Sequence, residues 1–242
     1  MGETLFVSDV HLDPERSAIV DLFNQFLLNR AIHAEAVYIL GDLFEYWIGD
    51  DAPYTEYSST FKALKQVSSA QVPVYFMHGN RDFLIASAFA DKTGVKLLPE
   101  EKVIELYGKK ILLMHGDTLC TDDVKYQAFR KKTHNRIFQW IVLHLPISMR
   151  LKLARYLRDT SKQEIAEKSE QIMDVNQSAV EQAMQMHQVT TLIHGHTHRP
   201  QIHSFSKNHN NYTRAVLGDW YQQGNVITVN TDGMKLEKFS TV

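Results

Sequence analysis

Residues 72–82 read VPVYFMHGNRD, a run of apolar and aromatic side chains that ends in a polar cluster. The apolar part predicts a buried β-strand, and Gly79 and Asn80 suit the turn after it because both residue types tolerate a positive φ. A turn does not explain why Arg81 and Asp82 follow. We therefore expect this strand to carry functional side chains at its carboxyl end.

The same pattern, an apolar run that ends in polar residues, occurs four more times. The segments are TLFVSDVH at 4–11, AVYILGDLFEYW at 36–47, KKILLMHGD at 109–117 and VTTLIHGHTH at 189–198. Segments with apolar residues at helical spacing, at 17–30 and 58–70, separate the first three strands. Alternating strands and helices predict an α/β fold with a largely parallel sheet, in which ligands bind beyond the carboxyl ends of the strands. All five polar clusters fall at those ends.

Between residues 121 and 187 the strand pattern disappears and helix-like sequence predominates. We interpret 121–187 as an inserted helical cap, and 1–120 together with 188–242 as the core domain. Its basic stretch, 124–158, contains nine cations and no Asp or Glu: Lys125, Arg130, Lys131, Lys132, Arg136, Arg150, Lys152, Arg155 and Arg158. Three further segments are predicted after the cap, namely strands at 202–206 and 224–233 and a polar loop at 206–214.

The composition is that of an ordinary globular chain. It has 242 residues, 44% of them hydrophobic, and a net charge of -2, so attraction to nucleic acid or to an anionic membrane would require a local patch. The single cysteine, Cys120, predicts a reducing compartment and no internal disulfide. The first residues show no signal-peptide pattern, and no apolar run approaches the roughly 20 residues that a membrane span needs.

The polar clusters contain residue types that bind metals. The seven candidates are Asp9, His11, Asp42, Asn80, His115, His196 and His198. Carboxylate, carboxamide and imidazole ligands without thiolate favour Mn²⁺, Fe²⁺ or Zn²⁺ over Ca²⁺. Seven ligands are too many for one catalytic ion, whereas a bridging Asp42 would give each of two ions four protein ligands.

A single histidine at a strand end is more often structural than a ligand, but five clusters together are not explained that way. The spacing in DVH and HTH supports the metal interpretation, because alternate residues of an extended strand project from the same face.

The order D-x-H, GD, GN-x-D, HGD and GH-x-H resembles the calcineurin-like metallophosphoesterase family over nearly the whole chain outside the predicted cap. The resemblance implies a four-layer α/β fold, a β-sandwich flanked by helices, into which the helical cap is inserted. It also implies two metal sites that share one carboxylate. Site one would take Asp9, His11, Asp42 and His198, and site two would take Asp42, Asn80, His115 and His196.

Arg81 departs from the pattern of many family members, which have a His at this position that is thought to protonate an alcohol leaving group. Arginine stays charged and does not donate a proton usefully near neutral pH. A phosphate leaving group, with a second pKa of about 6, needs no such proton. Arg81 therefore favours cleavage of a phosphoanhydride over a phosphoester, with its guanidinium holding phosphate oxygens.

Six stretches resemble one branch of the family, the enzymes that hydrolyse UDP-2,3-diacylglucosamine in lipid A biosynthesis. They are FVSDVHL at 6–12, GDLFEYWIGDD at 41–51, GNRDFL at 79–84, LMHGDTLCTDD at 113–123, IMDVN at 172–176 and LIHGHTHRP at 192–200. The resemblance implies a metal-dependent pyrophosphatase with two Mn²⁺ per chain, which releases UMP and 2,3-diacylglucosamine 1-phosphate (lipid X). A hydroxide activated by the two metals would attack the phosphorus nearer uridine.

The same resemblance implies roles for individual residues. Catalytic roles fall to Asn80, Arg81, His115 and His196. Substrate contacts fall to Asn80, Arg81, Asp123, Ser161, Lys168 and His196, and Ile165 occupies a further contact position where the family usually has a polar residue.

A substrate with two acyl chains resides in a membrane, which gives the predicted cap a function. Its apolar residues would bind acyl chains while its cations contact anionic headgroups, so the protein would lie peripherally on the cytoplasmic face of the inner membrane. Those apolar residues are Phe138, Trp140, Ile141, Val142, Leu143, Leu151, Leu153 and Leu157. The alternative is a solvated basic helix pair packed on the core.

Three other functions are compatible with parts of the sequence. A soluble phosphoesterase of the same family, acting on nucleotides or dinucleotide polyphosphates, would use the same metal ligands. A non-catalytic scaffold is disfavoured because all seven candidate ligands are present. Nucleic-acid binding rests only on the basic cap, which lacks a series of stacking aromatics, and nothing in the sequence indicates an obligate protein partner.

Overall fold

The computed structural model describes residues 2–167, 172, 174–207 and 209–240. Within these residues eleven strands form two mixed sheets flanked by seven α-helices. The strands are β1 (Thr4–Val7), β2 (Ala36–Leu40), β3 (Val74–Met77), β4 (Lys96–Leu97), β5 (Glu101–Leu106), β6 (Lys109–Met114), β7 (Thr191–His194), β8 (Gln201–Lys207), β9 (Asn210–Val216), β10 (Gly224–Asn230) and β11 (Gly233–Phe239). The helices are α1 (Ser17–Asn29), α2 (Ser58–Ser69), α3 (Ser87–Thr93), α4 (Val124–Thr133), α5 (Arg136–Leu143), α6 (Ile147–Glu167) and α7 (Gln177–Met186).

The strands that carry the polar clusters run parallel within two separate sheets. The first sheet has the order β11-β10-β1-β2-β3-β4, in which β1 to β4 are parallel. The second has the order β5-β6-β7-β9-β8, in which β6, β7 and β9 are parallel. The edge pairs β10–β11, β5–β6 and β8–β9 are antiparallel. The predicted parallel arrangement is therefore confirmed for the cluster-bearing strands, although they belong to two sheets.

The chain builds four layers because neighbouring residues of one strand face opposite sides. Leu5 of β1 packs in a cluster with residues of α1 and α2, whereas Phe6 packs against Ile111 and Ile193 of the second sheet. On the far side of that sheet, Leu112 of β6 packs with residues of α7. The resulting order of helices, sheet, sheet and helix is the four-layer α/β fold that the family resemblance implies.

The segment 206–214 is predicted to be a loop, but its residues 206–207 belong to β8 and its residues 210–214 belong to β9. β8 and β9 pair antiparallel from Gln201 opposite Val216 to Lys207 opposite Asn210. Polar residues dominate here because the tip of the hairpin is exposed to solvent. An exposed antiparallel edge needs no apolar alternation, so its sequence is hard to distinguish from a loop.

Helices α4, α5 and α6 lie between β6 and β7 in the chain, inside the segment predicted to be the cap. Arg150 of α6 joins these helices to the rest of the protein. Its guanidinium forms two hydrogen bonds to Asp51, at 2.6 and 2.8 Å, and others to the carbonyl oxygens of Ile48, Leu143 and Leu145. Arg150 is only 5% exposed, so its predicted availability to lipid headgroups is wrong. The boundaries of the cap at 121 and 187 stay a prediction.

In the part of the chain that the structure describes, no helix combines the length and the hydropathy needed to cross a bilayer.

Position 79 requires glycine because Asp42 lies close to it, and not because of its φ angle. Neither Gly79 nor Asn80 has a positive φ, so the turn after β3 does not use the freedom that we predicted for them. A Cβ atom on Gly79 would instead overlap the backbone nitrogen and Oδ1 of Asp42. The absence of a side chain lets the segments after β2 and β3 approach each other.

We predict that Gly79→Ala destabilises the protein by about 1–3 kcal/mol, because its methyl group forces Asp42 to move. Gly108→Ala is the matched control, since its φ is +75° but no atom lies within 4 Å of the new Cβ. That control should show only the strain of a positive φ, about 1–2 kcal/mol, and should keep full metal binding. Urea denaturation with a chelator present, followed by metal-binding measurements, checks both. Unchanged stability and metal binding in Gly79→Ala would contradict the close approach.

Candidate metal centre

Five of the seven predicted ligands adopt the left-handed backbone conformation. The φ angles are 53° for Asp9, 50° for His11, 52° for Asp42, 69° for His196 and 55° for His198. The prediction that DVH and HTH stay extended is wrong, because β1 ends at Val7 and β7 ends at His194. Strained backbone of this kind persists only where surrounding structure enforces it, and it is concentrated at functional sites.

Backbone hydrogen bonds connect the strand-end segments and enforce these turns. The N–H of Asp9 donates to Gly41 O at 3.1 Å, and the N–H of His11 donates to Asp42 O at 3.0 Å. Across the two sheets, the N–H of His196 donates to Asp9 Oδ2 at 2.9 Å. The segments therefore form one connected framework.

Asp9, His11 and His198 converge on one position. The Oδ1 atom of Asp9 lies 3.3 Å from His198 Nε2 and 3.9 Å from His11 Nε2. The two Nε2 atoms lie 3.2 Å apart. Asp9 Oδ1 is buried and has no hydrogen-bond partner among the described residues. An unpaired buried carboxylate oxygen facing two imidazole nitrogens is an arrangement that a cation would stabilise.

Asp42 lies between this group and a second one. Its Oδ2 atom is 3.9 Å from His11 Nε2 and 3.8 Å from His115 Nε2, while its Oδ1 accepts a hydrogen bond from the Arg81 N–H at 2.8 Å. One oxygen thus fixes the carboxylate and the other faces both histidines. The geometry is that of a bridging ligand.

The second group contains Asn80, His115 and His196. Asn80 Oδ1 lies 3.1 Å from His115 Nε2 and 2.9 Å from His196 Nδ1. The structure therefore brings all seven predicted ligands into one cluster, in the two groups that the family resemblance implies. Their roles as ligands remain predictions.

A hydrogen bond fixes which ring nitrogen of His115 is available, and carboxylates lie near Nδ1 of His11 and of His198. His115 Nδ1 lies 2.8 Å from the carbonyl oxygen of Leu40, which requires the proton on Nδ1 and leaves the lone pair on Nε2. His11 Nδ1 lies 3.4 Å from Glu45 Oε2, and His198 Nδ1 lies 3.5 Å from Asp219 Oδ2. Carboxylates and carbonyls behind ligand histidines orient the ring and strengthen it as a ligand.

The electrostatics of the cluster favour a cation. Burial alone would raise the pKa of Asp9, but His198, His115 and His11 lower it below its usual range. Burial would lower the pKa of His115, yet the charges of Asp42 and Asp9 raise it to about 9. The potential that holds a proton on His115 also attracts a divalent cation. Burial and the charge of His115 lower the pKa of His196 to about 3, so its ring stays neutral.

The donor set fits two divalent cations. It combines two buried carboxylates, a carboxamide oxygen and four imidazoles around a shared Asp42. Two overlapping groups, Asp9 with His11 and His198 and Asp9 with Asp42 and His115, have all their ligand atoms within 4.8 Å of one another. The residue types do not distinguish Mn²⁺ from Fe²⁺ or Zn²⁺.

The position of Asp82 beside Arg81 and Asn80 predicts that it orients Arg81 or a neighbouring residue, and in the structure it contacts neighbouring backbone groups. Its carboxylate accepts hydrogen bonds from the N–H groups of Gly79 at 2.9 Å, Leu43 at 2.7 Å and Asp42 at 3.3 Å. Burial and the charge of Asp42 raise the pKa of Asp82. Asp82 therefore clamps the segments after β2 and β3 together.

A cavity opens beside the second group, and it is lined by the candidate ligand Asn80 and by residues of α4, α5 and α6. It encloses about 820 Å³ of empty space, including its open mouth. Its polar residues are Glu45, Tyr46, Asn80, Arg81, Tyr126, Arg150, Arg158 and Ser161. Its apolar residues are Trp47, Ile48, Phe83, Leu84, Phe129, Phe138, Val142, Leu153, Ala154 and Leu157. Asn80 belongs to both the cavity and the ligand cluster, so the cavity starts at the candidate metals.

Only some of the predicted substrate-contact residues line the cavity. Arg81 and Ser161 line the cavity, and the Nε of Arg81 is buried without a hydrogen-bond partner among the described residues. Asp123 accepts a hydrogen bond from Tyr126 N–H at 3.0 Å and caps α4. Ile165 lies in α6 with its side chain outside the described structure, and Lys168 lies outside the described residues.

Sequence reasoning missed Glu45, Asp117 and Tyr126. The Tyr126 hydroxyl donates to Asp117 Oδ2 at 3.0 Å, and its ring centroid lies 5.6 Å from that of His196. Glu45 and Asp117 occur inside the strand-end clusters GDLFE and HGD, so their position was a usable signal. Tyr126 gives no such signal, because it reaches the site only when α4 folds over the HGD segment.

We predict that Asp42→Ala lowers the number of divalent cations bound per chain by at least one, because both candidate sites lose a ligand. Asp91→Ala, which removes an exposed carboxylate from α3, is the matched control and should bind as the parent does. Calorimetric titration of chelated, metal-free protein checks this. Equal stoichiometry and affinity in Asp42→Ala and the parent would rule out a bridging carboxylate.

The chain is similar to known proteins in sequence and in fold. The sequence profile described as calcineurin-like phosphoesterase matches residues 3–200. Proteins named UDP-2,3-diacylglucosamine hydrolase from Yersinia pestis and Yersinia pseudotuberculosis are 51% identical over 236 residues, covering 98% of this chain and 98% of theirs. Among solved structures, Vacuolar Protein Sorting 29 from Cryptosporidium parvum aligns over 99% of this chain and 98% of its own, with a TM-score of 0.48 and 14% identity.

Proposed function

The chain belongs to the calcineurin-like phosphoesterase family, and we propose that it hydrolyses the diphosphate of UDP-2,3-diacylglucosamine to UMP and 2,3-diacylglucosamine 1-phosphate, lipid X, in lipid A biosynthesis. The relatives from Yersinia, 51% identical over nearly the whole chain, carry the name of that activity. The observation that carries the proposal is a cavity that shares Asn80 with the candidate metal centre and has a predominantly apolar lining.

The cavity matches a substrate with a charged and an apolar end. Asn80 and Arg81 offer polar groups where the diphosphate would lie, beside the candidate metal ligands. Phe138, Val142 and Leu153 of α5 and α6 line the apolar part, where acyl chains would replace water. A water-soluble nucleotide would leave that apolar surface exposed, which disfavours the soluble phosphoesterase alternative.

The metals would be held by the chain's own side chains in two groups, with Mn²⁺ as the proposed ion. Site one comprises Asp9, His11, Asp42 and His198, and site two comprises Asp42, Asn80, His115 and His196. When bound, a pair of divalent cations supplies Lewis acidity to phosphoryl oxygens and lowers the pKa of a water molecule.

Arg81 would bind the phosphoryl oxygens and stabilise their charge. Its backbone N–H is fixed on Asp42, while its Nε makes no hydrogen bond within the described structure. The departing lipid phosphate is stable as an anion and needs no general acid. Asn80, His115 and His196 would also position the reacting diphosphate, and Ser161 would contact the substrate from α6.

The direct test is hydrolysis of pure UDP-2,3-diacylglucosamine by Mn²⁺-loaded protein in ¹⁸O-labelled water. We predict that UMP forms and carries the ¹⁸O, because attack falls on the phosphorus nearer uridine. Label in the lipid phosphate instead would reverse the direction of attack. Folded, metal-loaded protein that releases no UMP, or that cleaves diadenosine tetraphosphate faster than the lipid, would favour the soluble alternative.

A peripheral position on the cytoplasmic face of the inner membrane is part of the proposal. Ile137, Trp140 and Ile141 of α5 are 69%, 60% and 50% exposed, which is unusual for large apolar side chains and suits insertion at a lipid surface.

Six cations of the basic stretch are also exposed: Lys125, Lys131, Lys132, Arg136, Lys152 and Arg155. The other three are held by carboxylates: Arg130 by Asp117, Arg150 by Asp51 and Arg158 by Glu45. The available charge is therefore smaller than the sequence predicts, and it is spread over α4, α5 and α6.

We predict that Trp140→Ser lowers partitioning onto phosphatidylglycerol-containing vesicles about tenfold, since inserting a large apolar side chain contributes about 1.5–3 kcal/mol when fully buried. Met186→Ser on α7 is the matched control, because Met186 is 70% exposed and lies outside the basic stretch. Vesicle sedimentation at low and high salt measures both variants. An equal loss in the two variants, or none in Trp140→Ser, would contradict a specific role for α5.

A further inference from the structure

Glu45 connects α6 to one of the candidate metal ligands. Its Oε2 lies 3.4 Å from His11 Nδ1, and its Oε1 lies 2.9 Å from Arg158 Nε. Glu45 is only 3% exposed, so both contacts are screened little by solvent. A single carboxylate therefore contacts the ring of His11 on one side and an arginine of α6 on the other.

The two arginines that hold Glu45 come from different parts of the chain. Arg16 Nη2 lies 3.4 Å from Glu45 Oε2 and donates to the carbonyl oxygen of His11 at 2.5 Å. Arg158 pairs with the other oxygen and also reaches Asp13 Oδ2 at 3.4 Å. Arg16 precedes α1 and stays with the core strands. Arg158 stays in contact only while α6 lies against them.

Loss of the Arg158 contact would leave one oxygen of a buried carboxylate without its charged partner. The carboxylate would then turn toward Arg16 or toward water, because an unpaired buried charge is costly. Turning moves Oε2 away from His11 Nδ1. The imidazole would lose the nearby negative charge that favours a proton on Nδ1 and leaves the lone pair on Nε2.

We propose that Arg158 is a positioning residue, which through Glu45 fixes the ring of His11 and makes metal affinity at site one depend on the seating of α6. The inference rests on the metal centre of the proposed function and not on the identity of its substrate. Because coupling between sites is reciprocal, metal bound at site one also stabilises α6 in its seated position. The helix that lines the substrate cavity and the metal site behind it thus respond to each other.

The test compares Arg158→Met with Arg155→Met, a matched loss of an exposed cation from the same helix. Calorimetric titration of metal-free protein with Mn²⁺ should show one of the two sites weakened by about tenfold or more in Arg158→Met, with the other site and the Arg155→Met variant unchanged. Hydrogen exchange over residues 147–161 should slow on Mn²⁺ addition in the parent and in Arg155→Met, but not in Arg158→Met. Parental affinity at both sites in Arg158→Met, with only KM for substrate raised, would overturn the proposal and assign Arg158 to substrate contact.

A double-mutant cycle separates positioning from general damage. Glu45→Gln should also weaken one site, and Arg158→Met should add nothing further in the Glu45→Gln background, because the two residues act as one unit. Additive losses would contradict the proposal. If circular dichroism shows that Arg158→Met does not fold, Arg158→Lys replaces it in the same cycle. An unchanged metal affinity in a folded Arg158→Lys, together with additivity, would count against the connection.

Discussion

The burial of two carboxylates side by side, those of Asp9 and Asp42, is the constraint on which the rest of this structure depends. Both are almost fully excluded from solvent, and removing two like charges from water is strongly unfavourable without compensation. Part of the compensation comes from the backbone, since His196 N–H donates to Asp9 and Arg81 N–H donates to Asp42. The remaining oxygens face imidazoles, and a divalent cation would complete the compensation. The left-handed turns, the close approach of Gly79 and the clamp formed by Asp82 all serve to hold these two groups in place.

The helices between β6 and β7 are attached to this framework by charges as well as by apolar contacts. Arg130 of α4 binds Asp117, Arg150 of α6 binds Asp51, and Arg158 of α6 binds Glu45. Asp117 and Glu45 each lie in a strand-end cluster that also supplies a candidate ligand. Helices that line the cavity therefore bind carboxylates that are close in sequence to candidate metal ligands. A lipid that packs between α5 and α6 would act on helices already connected to the reacting centre.

The sequence predicted that the candidate ligands would lie together, because each follows a buried strand within four residues and the carboxyl ends of the parallel strands meet. The sequence predicted the path of the backbone poorly. His and Asp tolerate the left-handed conformation, but their presence at positions 11 and 42 does not indicate that the backbone adopts it there. From the sequence, Arg150 and Arg158 were indistinguishable from solvated cations. A count of charges in 124–158 does not show that their partners, Asp51 and Glu45, lie far earlier in the chain. The β8–β9 hairpin read as a loop because its exposed polar residues have no apolar alternation. The features that could not be predicted all depend on contacts between helices or strands that are distant in the chain.

The most direct measurement is the crystal structure of the protein with Mn²⁺ and 2,3-diacylglucosamine 1-phosphate, using anomalous scattering at the manganese edge. Two anomalous peaks should be found, one beside Asp9, His11 and His198 and the other beside Asn80, His115 and His196, with Asp42 contacting both. The phosphate should lie at Arg81 and the acyl density between α5 and α6. A single peak away from Asp42, or acyl chains outside that cavity, would contradict the assignment of this site as a two-metal centre for an amphiphilic diphosphate.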